Sequence, residues 1–205
     1  QLAGELPPSV RPGVGSDEHE YLMARRRSLG GPQPARVVRP KTLILPDENL
    51  YRELHAGTGD KVATSTTSAF TRLLKNLLRD PEIGRRVVPI IPDEARTFGI
   101  DALFRQSKIY APAGQRYEPV DADLLLSYME SADGQILEEG ITEAGSMASL
   151  IAASTAYATW GEPMIPFFVF YSMFGFHRLG DLIWALGDMR GRGFLMAATA
   201  GRTTL

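Results

Sequence analysis

Hydrophobic positions along this chain recur at two spacings, one typical of helices and one typical of buried strands. After a capping residue, Ser65 or Thr66, apolar side chains repeat at i, i+3, i+4, i+7 and i+8 until Pro81, which predicts an amphipathic helix. The same pattern predicts a helix over 176–187. Many small residues over 144–158 predict a helix that packs closely on a sheet. Short apolar runs predict strands at 87–91, 135–137, 164–170 and 194–198.

The order of these elements predicts the fold class. Strands that alternate with helices pair in parallel through right-handed crossovers, so we expect an α/β fold with a mainly parallel sheet and helices on both faces. Pro89 removes a backbone donor from the first strand, which argues for an edge strand or a bulge. The interval 98–120 looks irregular. Residues 121–131 are predicted to form one helix, with Leu124, Leu125 and Tyr128 facing inward.

Residues 1–63 differ in amino-acid composition from the rest of the chain. They contain seven of its prolines, the basic triplet Arg25-Arg26-Arg27 and few apolar clusters. We interpret them as an irregular N-terminal arm or inter-domain connection, and residues 64–205 as the folded domain. The triplet lacks the flanking aromatics and wide positive field of a nucleic-acid site, so a solvated linker face is the favoured interpretation.

Composition narrows the possible functions. A formal net charge of −2 gives no argument for nucleic acid or an anionic membrane surface. The absence of cysteine excludes disulfides, thiolate nucleophiles and cysteine-ligated zinc, and a reducing cytoplasm is compatible with it. The longest apolar run, 165–176, is shorter than the roughly 20 residues of a spanning helix. Because the chain begins at Gln1 and lacks the plan of a signal peptide, we expect a piece of something longer.

Several catalytic mechanisms have no support in the sequence. His19, His55 and His177 have no partner histidine at i, i+3 or i, i+4, so no metal site is predicted within the chain. There is no Gly-x-Ser-x-Gly nucleophile elbow. No glycine-rich loop lies between a strand and a helix, which argues against a phosphate loop.

Carboxylates at the ends of predicted strands remain as candidates. They are Asp93 and Glu94 after one strand, and Glu138, Glu139 and Glu143 after another. Strand ends and helix N-termini converge on one crevice in doubly wound sheets, and acids that share a crevice serve as acid–base catalysts. The simpler alternative is that they are first-turn helix acids, or partners of Arg96 and Arg105. Likewise, Tyr171 and Phe174 after the next strand either pack in the core or form a wall for a flat heteroaromatic ring.

Five segments together resemble a known family. They are IPDEARTFG (91–99), LFRQ (103–106), QIL with EGI (135–141), YSMFGF (171–176) and GRTTL (201–205). In this order, from about Ser65 to Leu205, they are similar to the homodimeric type of pyruvate dehydrogenase decarboxylating component, a thiamine diphosphate enzyme. The resemblance implies the three-layer, transketolase-like pyrimidine-binding fold, truncated at its C-terminal end.

The resemblance also implies roles for individual residues. Glu143 of the Glu-x-Gly element would hydrogen-bond the ring nitrogen of the cofactor's aminopyrimidine, a bond that helps the cofactor to deprotonate its own thiazolium carbon. Glu139 also precedes a glycine, but its spacing to the next strand does not match the family. Ile141 would contact the pyrimidine, and Tyr171 and Phe174 would form its wall. Asp93 and Glu94 match acids of the active-site channel, and whether Glu94 handles substrate protons or supports the dimer contact stays open.

The implied activity is oxidative decarboxylation of pyruvate with reductive acetylation of a lipoyl group on a dihydrolipoyl acyltransferase, by a cytoplasmic homodimer. Magnesium ligands and catalytic histidines would lie outside this chain, so we expect the fragment alone to be inactive. The alternatives are another 2-oxo acid dehydrogenase of the same superfamily and a non-catalytic paralogue that keeps the fold. Substrate choice is implied by the resemblance alone.

Overall fold

The computed structural model describes residues 11–31, 38, 40–60, 62–92, 95–120 and 128–198. Contacts divide the chain into two compact units, Gln1–Val37 and Val38–Leu205. In the first unit, helix α1 spans Asp17–Ser28, begins where the Ser16 side chain accepts a hydrogen bond from the His19 N–H, and buries none of its residues. A helix that is polar all round is typical of a solvated segment.

The second unit contains a parallel sheet of four strands. In spatial order the strands are β4 (Leu137–Glu138), β1 (Val87–Ile91), β5 (Ile165–Tyr171) and β6 (Phe194–Ala198). All pairs are parallel, with Ile90 opposite Leu137 and opposite Phe168, and Phe168 opposite Leu195. Two short strands, β2 (Ile109–Tyr110) and β3 (Glu130–Ser131), form a second parallel pair. The predicted parallel α/β fold is therefore confirmed.

The prediction of an edge position for Pro89 is wrong, because β1 lies between β4 and β5. The carbonyl of Ile91 accepts the Glu139 N–H and the carbonyl of Val87 accepts the Gln135 side chain, both on the β4 side. Since backbone groups alternate along a strand, the missing donor of Pro89 also faces that side. Pairing with β4 starts only at Ile90. The proline therefore lies where the neighbouring strand has not yet begun.

Helices cover both faces of this sheet. Helix α3 (Thr66–Arg79), capped by Ser65, one of the two predicted caps, places Leu74 and Leu77 against one face. Helices α5 (Glu143–Thr159) and α6 (Gly175–Asp188) cover the other face, where Met147, Leu150 and Leu179 join a second buried cluster. Three of the four predicted helices are thus confirmed to within one or two residues. Alternate residues of β1 and β5 supply the two clusters, which is the expected result of a strand buried on both faces.

The middle of the chain differs from the sequence prediction. Within 98–120 the structure has a 3₁₀ turn (Asp101–Leu103), a short helix α4 (Phe104–Ser107) and strand β2. The helix predicted for 121–131 is wrong at its C-terminal end, because Glu130–Ser131 are β3. Residues 121–127, with Leu124 and Leu125, lie outside the described residues. Tyr128 packs against the first core cluster, as predicted.

Residues 40–56 belong to the second unit and pack against its core. The segment contains a 3₁₀ turn (Glu48–Tyr51) and a short helix α2 (Arg52–Ala56), and Leu43 and Leu50 contact the first core cluster. Lys41 pairs with Glu162, and its N–H donates to the Gly161 carbonyl at 3.0 Å. The contact boundary thus lies between Val37 and Val38. The interpretation of 1–63 as an inter-domain connection and of 64–205 as the pyrimidine-binding domain stays a prediction.

No helix in the described ranges is both long and apolar enough to cross a membrane.

Candidate functional site

The carboxyl edge of the sheet brings two strand-to-helix connections together. Strand β4 leads through residues 139–142 into α5, and β5 leads through a 3₁₀ turn, Ser172–Phe174, into α6. Because β1 separates β4 from β5, the two connections flank the end of β1. This is the crevice in which open parallel sheets bind ligands.

Glu143 is held at the first position of α5. The preceding Thr142 has an extended backbone, and its hydroxyl accepts the Gly145 N–H at 3.2 Å. The Thr142 carbonyl accepts both the N–H and the hydroxyl of Ser146. A carboxylate in the first turn is favoured by the helix dipole. Glu143 is only 7% exposed, so the cap holds a buried acid at the crevice.

Arg178 of α6 pairs with Glu143. A single guanidinium nitrogen, Nη1, donates to both carboxylate oxygens, at 2.8 and 2.9 Å. The guanidinium also lies over the Phe174 ring, with Cζ 3.9 Å from the ring centroid. The Arg178 side chain is 49% exposed. Sequence analysis missed this residue. Its position four residues after Phe174 in a helical register was the available signal, because i and i+4 side chains are neighbours on a helix.

Tyr171 and Phe174 lie in contact at the end of β5, and their predicted role as a wall for a ring stays a prediction. Their centroids are 5.9 Å apart in an edge-to-face arrangement, and Phe98 packs on Tyr171 at 5.0 Å. Gly175 follows directly, and a Cβ placed there would lie 2.5 Å from Cε2 of the buried Phe170. The close approach of α6 to β5 at this glycine sets where the aromatic surface stands.

Ile141 projects from the β4–α5 connection and is 76% exposed. The preceding Gly140 has a φ of +79°, which favours glycine, and its carbonyl accepts the Thr142 N–H at 2.7 Å. The connection therefore turns tightly and leaves the isoleucine side chain uncovered within the described chain.

The other predicted acids differ in what the structure shows of them. Glu139 accepts the hydroxyl of Ser149 on α5 with its Oε1. Asp93 and Glu94 lie outside the described residues, so their predicted roles stay predictions. The simpler interpretation of strand-end acids holds in part for Glu143, which is a first-turn acid with an arginine partner. That partner is Arg178 and neither Arg96 nor Arg105.

A second polar cluster links β3 to the loop before it. The hydroxyls of Tyr117 and Tyr128 donate to Oε1 of Glu130, at 2.6 and 2.8 Å. The hydrogen bond to Glu130 raises the pKa of Tyr117, and burial is the main cause that raises the pKa of Tyr128. Both tyrosines therefore remain hydrogen-bond donors near neutral pH. The cluster holds the loop that contains Tyr117 against β3, and it does not supply an acid or a base.

Among the residues that the structure describes, no three histidine, aspartate or glutamate side chains converge as metal ligands. The prediction that magnesium ligands lie outside this chain is not tested by that finding.

The chemistry of the donor set fits an aminopyrimidine ring. Arg178 presents a planar, N–H-donating group that lies on the Phe174 face and is hydrogen-bonded to Glu143. An aminopyrimidine with a protonated ring nitrogen is also planar and also donates N–H. A buried carboxylate beside an aromatic face therefore accommodates one group of this shape and polarity already, and these residues fit the ring half of thiamine diphosphate.

The parallel sheet with helices on both faces defines a doubly wound α/β domain. The family model described as the pyruvate dehydrogenase E1 component middle domain matches residues 45–205. The chain belongs to this family.

Curated relatives carry the same name. The chain is 56% identical to the pyruvate dehydrogenase E1 component of Mycobacterium tuberculosis over 200 residues, which are 98% of this chain and 21% of that protein. Identity is 52% to that of Pseudomonas aeruginosa (98% of this chain, 23% of the relative). Identity is 50% to the protein of Escherichia coli, over 93% of this chain and 21% of that relative. The chain thus spans about a fifth of the length of the curated relatives it matches.

Proposed function

We propose that this chain is the part of a thiamine diphosphate-dependent pyruvate dehydrogenase that binds and activates the aminopyrimidine of the cofactor. The observation that carries the proposal is the contact of one planar N–H donor, the Arg178 guanidinium, with both Phe174 and Glu143. The family membership of residues 45–205 supports the same reaction class. When bound, thiamine diphosphate supplies the carbanion chemistry that decarboxylation of a 2-oxo acid needs.

Glu143 has the central role in this proposal. Its carboxyl group donates a proton to the ring nitrogen or shares one with it, and its burial at 7% exposure excludes water that would compete for that hydrogen bond. The Thr142 cap fixes the backbone from which it projects, so the carboxylate stays in place while the ring displaces the Arg178 guanidinium from it. An aspartate in its place would fall about one methylene short.

The apolar residues orient the ring. Tyr171 and Phe174 offer the wall, and the uncovered Ile141 packs against the pyrimidine. Asp93 and Glu94 complete the proposed site as acids of the channel, with Glu94 as a candidate for substrate proton transfer. These last two assignments rest on the resemblance of the segment 91–99.

The whole protein is proposed to oxidise pyruvate and to acetylate the lipoyl group of a dihydrolipoyl acyltransferase, as a cytoplasmic homodimer with magnesium held outside this chain. A related 2-oxo acid dehydrogenase and a non-catalytic paralogue are the alternatives. The relatives are pyruvate dehydrogenase E1 components, which favours pyruvate over other 2-oxo acids.

The test uses the full-length protein with thiamine diphosphate and magnesium, and measures 2-oxo acid-dependent reduction of an artificial electron acceptor. We expect turnover with pyruvate and little with 2-oxoglutarate. Glu143→Gln should remove most of the activity with little loss of folding, because it removes the acid and nearly preserves the shape. Glu162→Gln, which neutralises a carboxylate before β5 at the opposite edge of the sheet, is the matched control. Unchanged turnover in Glu143→Gln would reject the assignment, and a folded protein silent on both substrates would favour the paralogue.

A further inference from the structure

The connection from β4 to α5 is fastened on both sides of Ile141. On the N-terminal side, the Glu139 N–H donates to the Ile91 carbonyl at 3.0 Å and extends the parallel ladder one residue past β4. On the C-terminal side, the Thr142 cap starts α5. Gly140 makes the turn between them. Ile141 is therefore the one side chain of the segment 139–142 that is mostly exposed and carries no polar atom.

The side chain of Glu139 adds a third attachment. Its Oε1 accepts the hydroxyl of Ser149, which lies six residues after Glu143 in α5, about 9 Å further along the helix axis. Both side chains are partly buried. A hydrogen bond between a hydroxyl and a carboxylate is stronger than a neutral one, so this bond ties the end of β4 to the second turn of α5.

This attachment needs the acceptor oxygen of Glu139 and not its ability to exchange a proton. Glu139 is bonded to the body of α5, whereas Glu143 carries the pairing with Arg178 beside the aromatic surface. The two acids of the element thus have different partners. Glu143 pairs with the Arg178 guanidinium that lies on Phe174. Glu139 accepts the Ser149 hydroxyl, which holds the backbone at the end of β4.

We propose that Glu139 and Ser149 are positioning residues for the cofactor ring and act through Ile141. The proposal rests on the proposed function, in which Ile141 packs on the pyrimidine. By fixing the connection from both the sheet and the helix, the pair holds the isoleucine in its ring-binding position before the ring arrives. Preorganisation of this kind raises affinity because less conformational freedom is lost on binding.

The test measures the dissociation constant of thiamine diphosphate, with magnesium, by calorimetric titration of the full-length dimer. Glu139→Ala and Ser149→Ala should each weaken binding by about 5- to 10-fold, and the double variant should be no weaker than either single one within about twofold. Glu139→Gln, which keeps an acceptor oxygen at the same reach, should restore affinity to within about twofold of the wild type.

A cycle with Ile141 separates positioning from a general structural role. Ile141→Ala should weaken binding, and adding Glu139→Ala to it should have no further effect beyond about twofold. A second full loss in the Ile141→Ala background would overturn the proposal, because Glu139 would then act by another route. Loss in Glu139→Gln equal to that in Glu139→Ala would also overturn it, since the charge rather than the acceptor would then matter.

The outcomes also distinguish this inference from the proposed function. If Ile141→Ala weakens binding and Glu143→Gln abolishes turnover, while Glu139→Ala and Ser149→Ala bind normally, only the positioning role is rejected. If Ile141→Ala and Glu143→Gln both leave cofactor binding and turnover unchanged, the proposed function fails, and the positioning role fails with it. Should Glu139→Ala not fold, Ser149→Ala tests the same bond from the other side.

Discussion

The Nη1 nitrogen of Arg178 lies almost equally far from the two carboxylate oxygens of Glu143, at 2.8 and 2.9 Å. Because Glu143 begins α5 and Arg178 lies in the first turn of α6, this one nitrogen couples the two strand-to-helix connections of the site. The same guanidinium covers the face of Phe174. The buried acid and the aromatic wall are therefore organised by a cation that neither strand end supplies.

Arg178→Gln should loosen the first turns of α5 and α6. Removal of one partner leaves the buried Glu143 carboxylate without its cation, and we expect a local loss of about 1–2 kcal/mol, less than for a fully buried pair because Arg178 is half exposed. Hydrogen exchange of the backbone amides of α5 and α6 in the full-length protein measures this. Glu143→Gln combined with Arg178→Gln should recover most of the protection. Equal exchange in the single variant and the wild type would mean that the pair contributes nothing.

Phe174→Ala should weaken thiamine diphosphate binding by about 1–3 kcal/mol, because the ring loses an aromatic surface on which to pack. Titration of the full-length enzyme in the presence of magnesium measures the change. Phe194→Ala is the matched control, since Phe194 stacks on Phe167 at the opposite end of the sheet. Unaltered affinity in Phe174→Ala would make Phe174 an ordinary packing residue.

Gly175→Ala should destabilise the domain by about 1–3 kcal/mol, because the new methyl group would lie 2.5 Å from Cε2 of Phe170. Phe170 has little room to move, since it is buried and packs on Phe168. Urea unfolding measures the loss, and cofactor affinity should fall with it as the adjacent Phe174 shifts. Gly180→Ala lies in the same helix with nothing within 4 Å of the added Cβ. It should be neutral or stabilising by up to about 1 kcal/mol, as helix propensity alone predicts. Equal effects of the two substitutions would argue against the steric explanation.

Acid should weaken the pairing of Glu162 with Lys41 and Arg86 within the second unit. The hydrogen bond from Lys41, with that from Arg86, lowers the pKa of Glu162. A carboxylate whose pKa is lowered by folding contributes stability above its unfolded pKa of about 4.3, and that contribution is lost as the pH falls through the folded pKa. The difference in stability between wild type and Glu162→Gln should therefore be present at neutral pH and decline below about pH 5. A difference that does not change between neutral and strongly acidic pH would contradict this.

Local patterns predicted the elements of this fold well. The spacing of Leu74 and Leu77, with a capping residue at position 65 or 66, predicted α3. Apolar runs predicted β1, β5 and β6. These signals are readable because periodicity and capping depend only on neighbours in the chain. The strand order was different. Pro89 suggested an edge strand, yet β1 is interior, since β4 begins too late to need the missing donor. The residues around Pro89 cannot show where the neighbouring strand begins, because that strand is distant in the sequence.

The helix expected at 121–131 failed at its end for a related reason. Glu130 is in a strand that pairs with β2, and its carboxylate accepts the hydroxyls of Tyr117 and Tyr128. Tyr117 is 13 positions away in the sequence and the paired strand β2 is further still, whereas Tyr128 is a near neighbour. Tertiary contacts here overrode a plausible local preference.

Spacing and motif similarity predicted the alternation of strands and helices, and they marked Glu143, Tyr171 and Phe174 as candidates. Neither signal revealed that Arg178 joins Glu143 to Phe174, or that Ser149 donates to Glu139. Both pairs depend on where α5 and α6 pack on the sheet. Packing brings together residues 35 positions apart in one case and 10 in the other, and this selected which of two similar acids faces the aromatic wall.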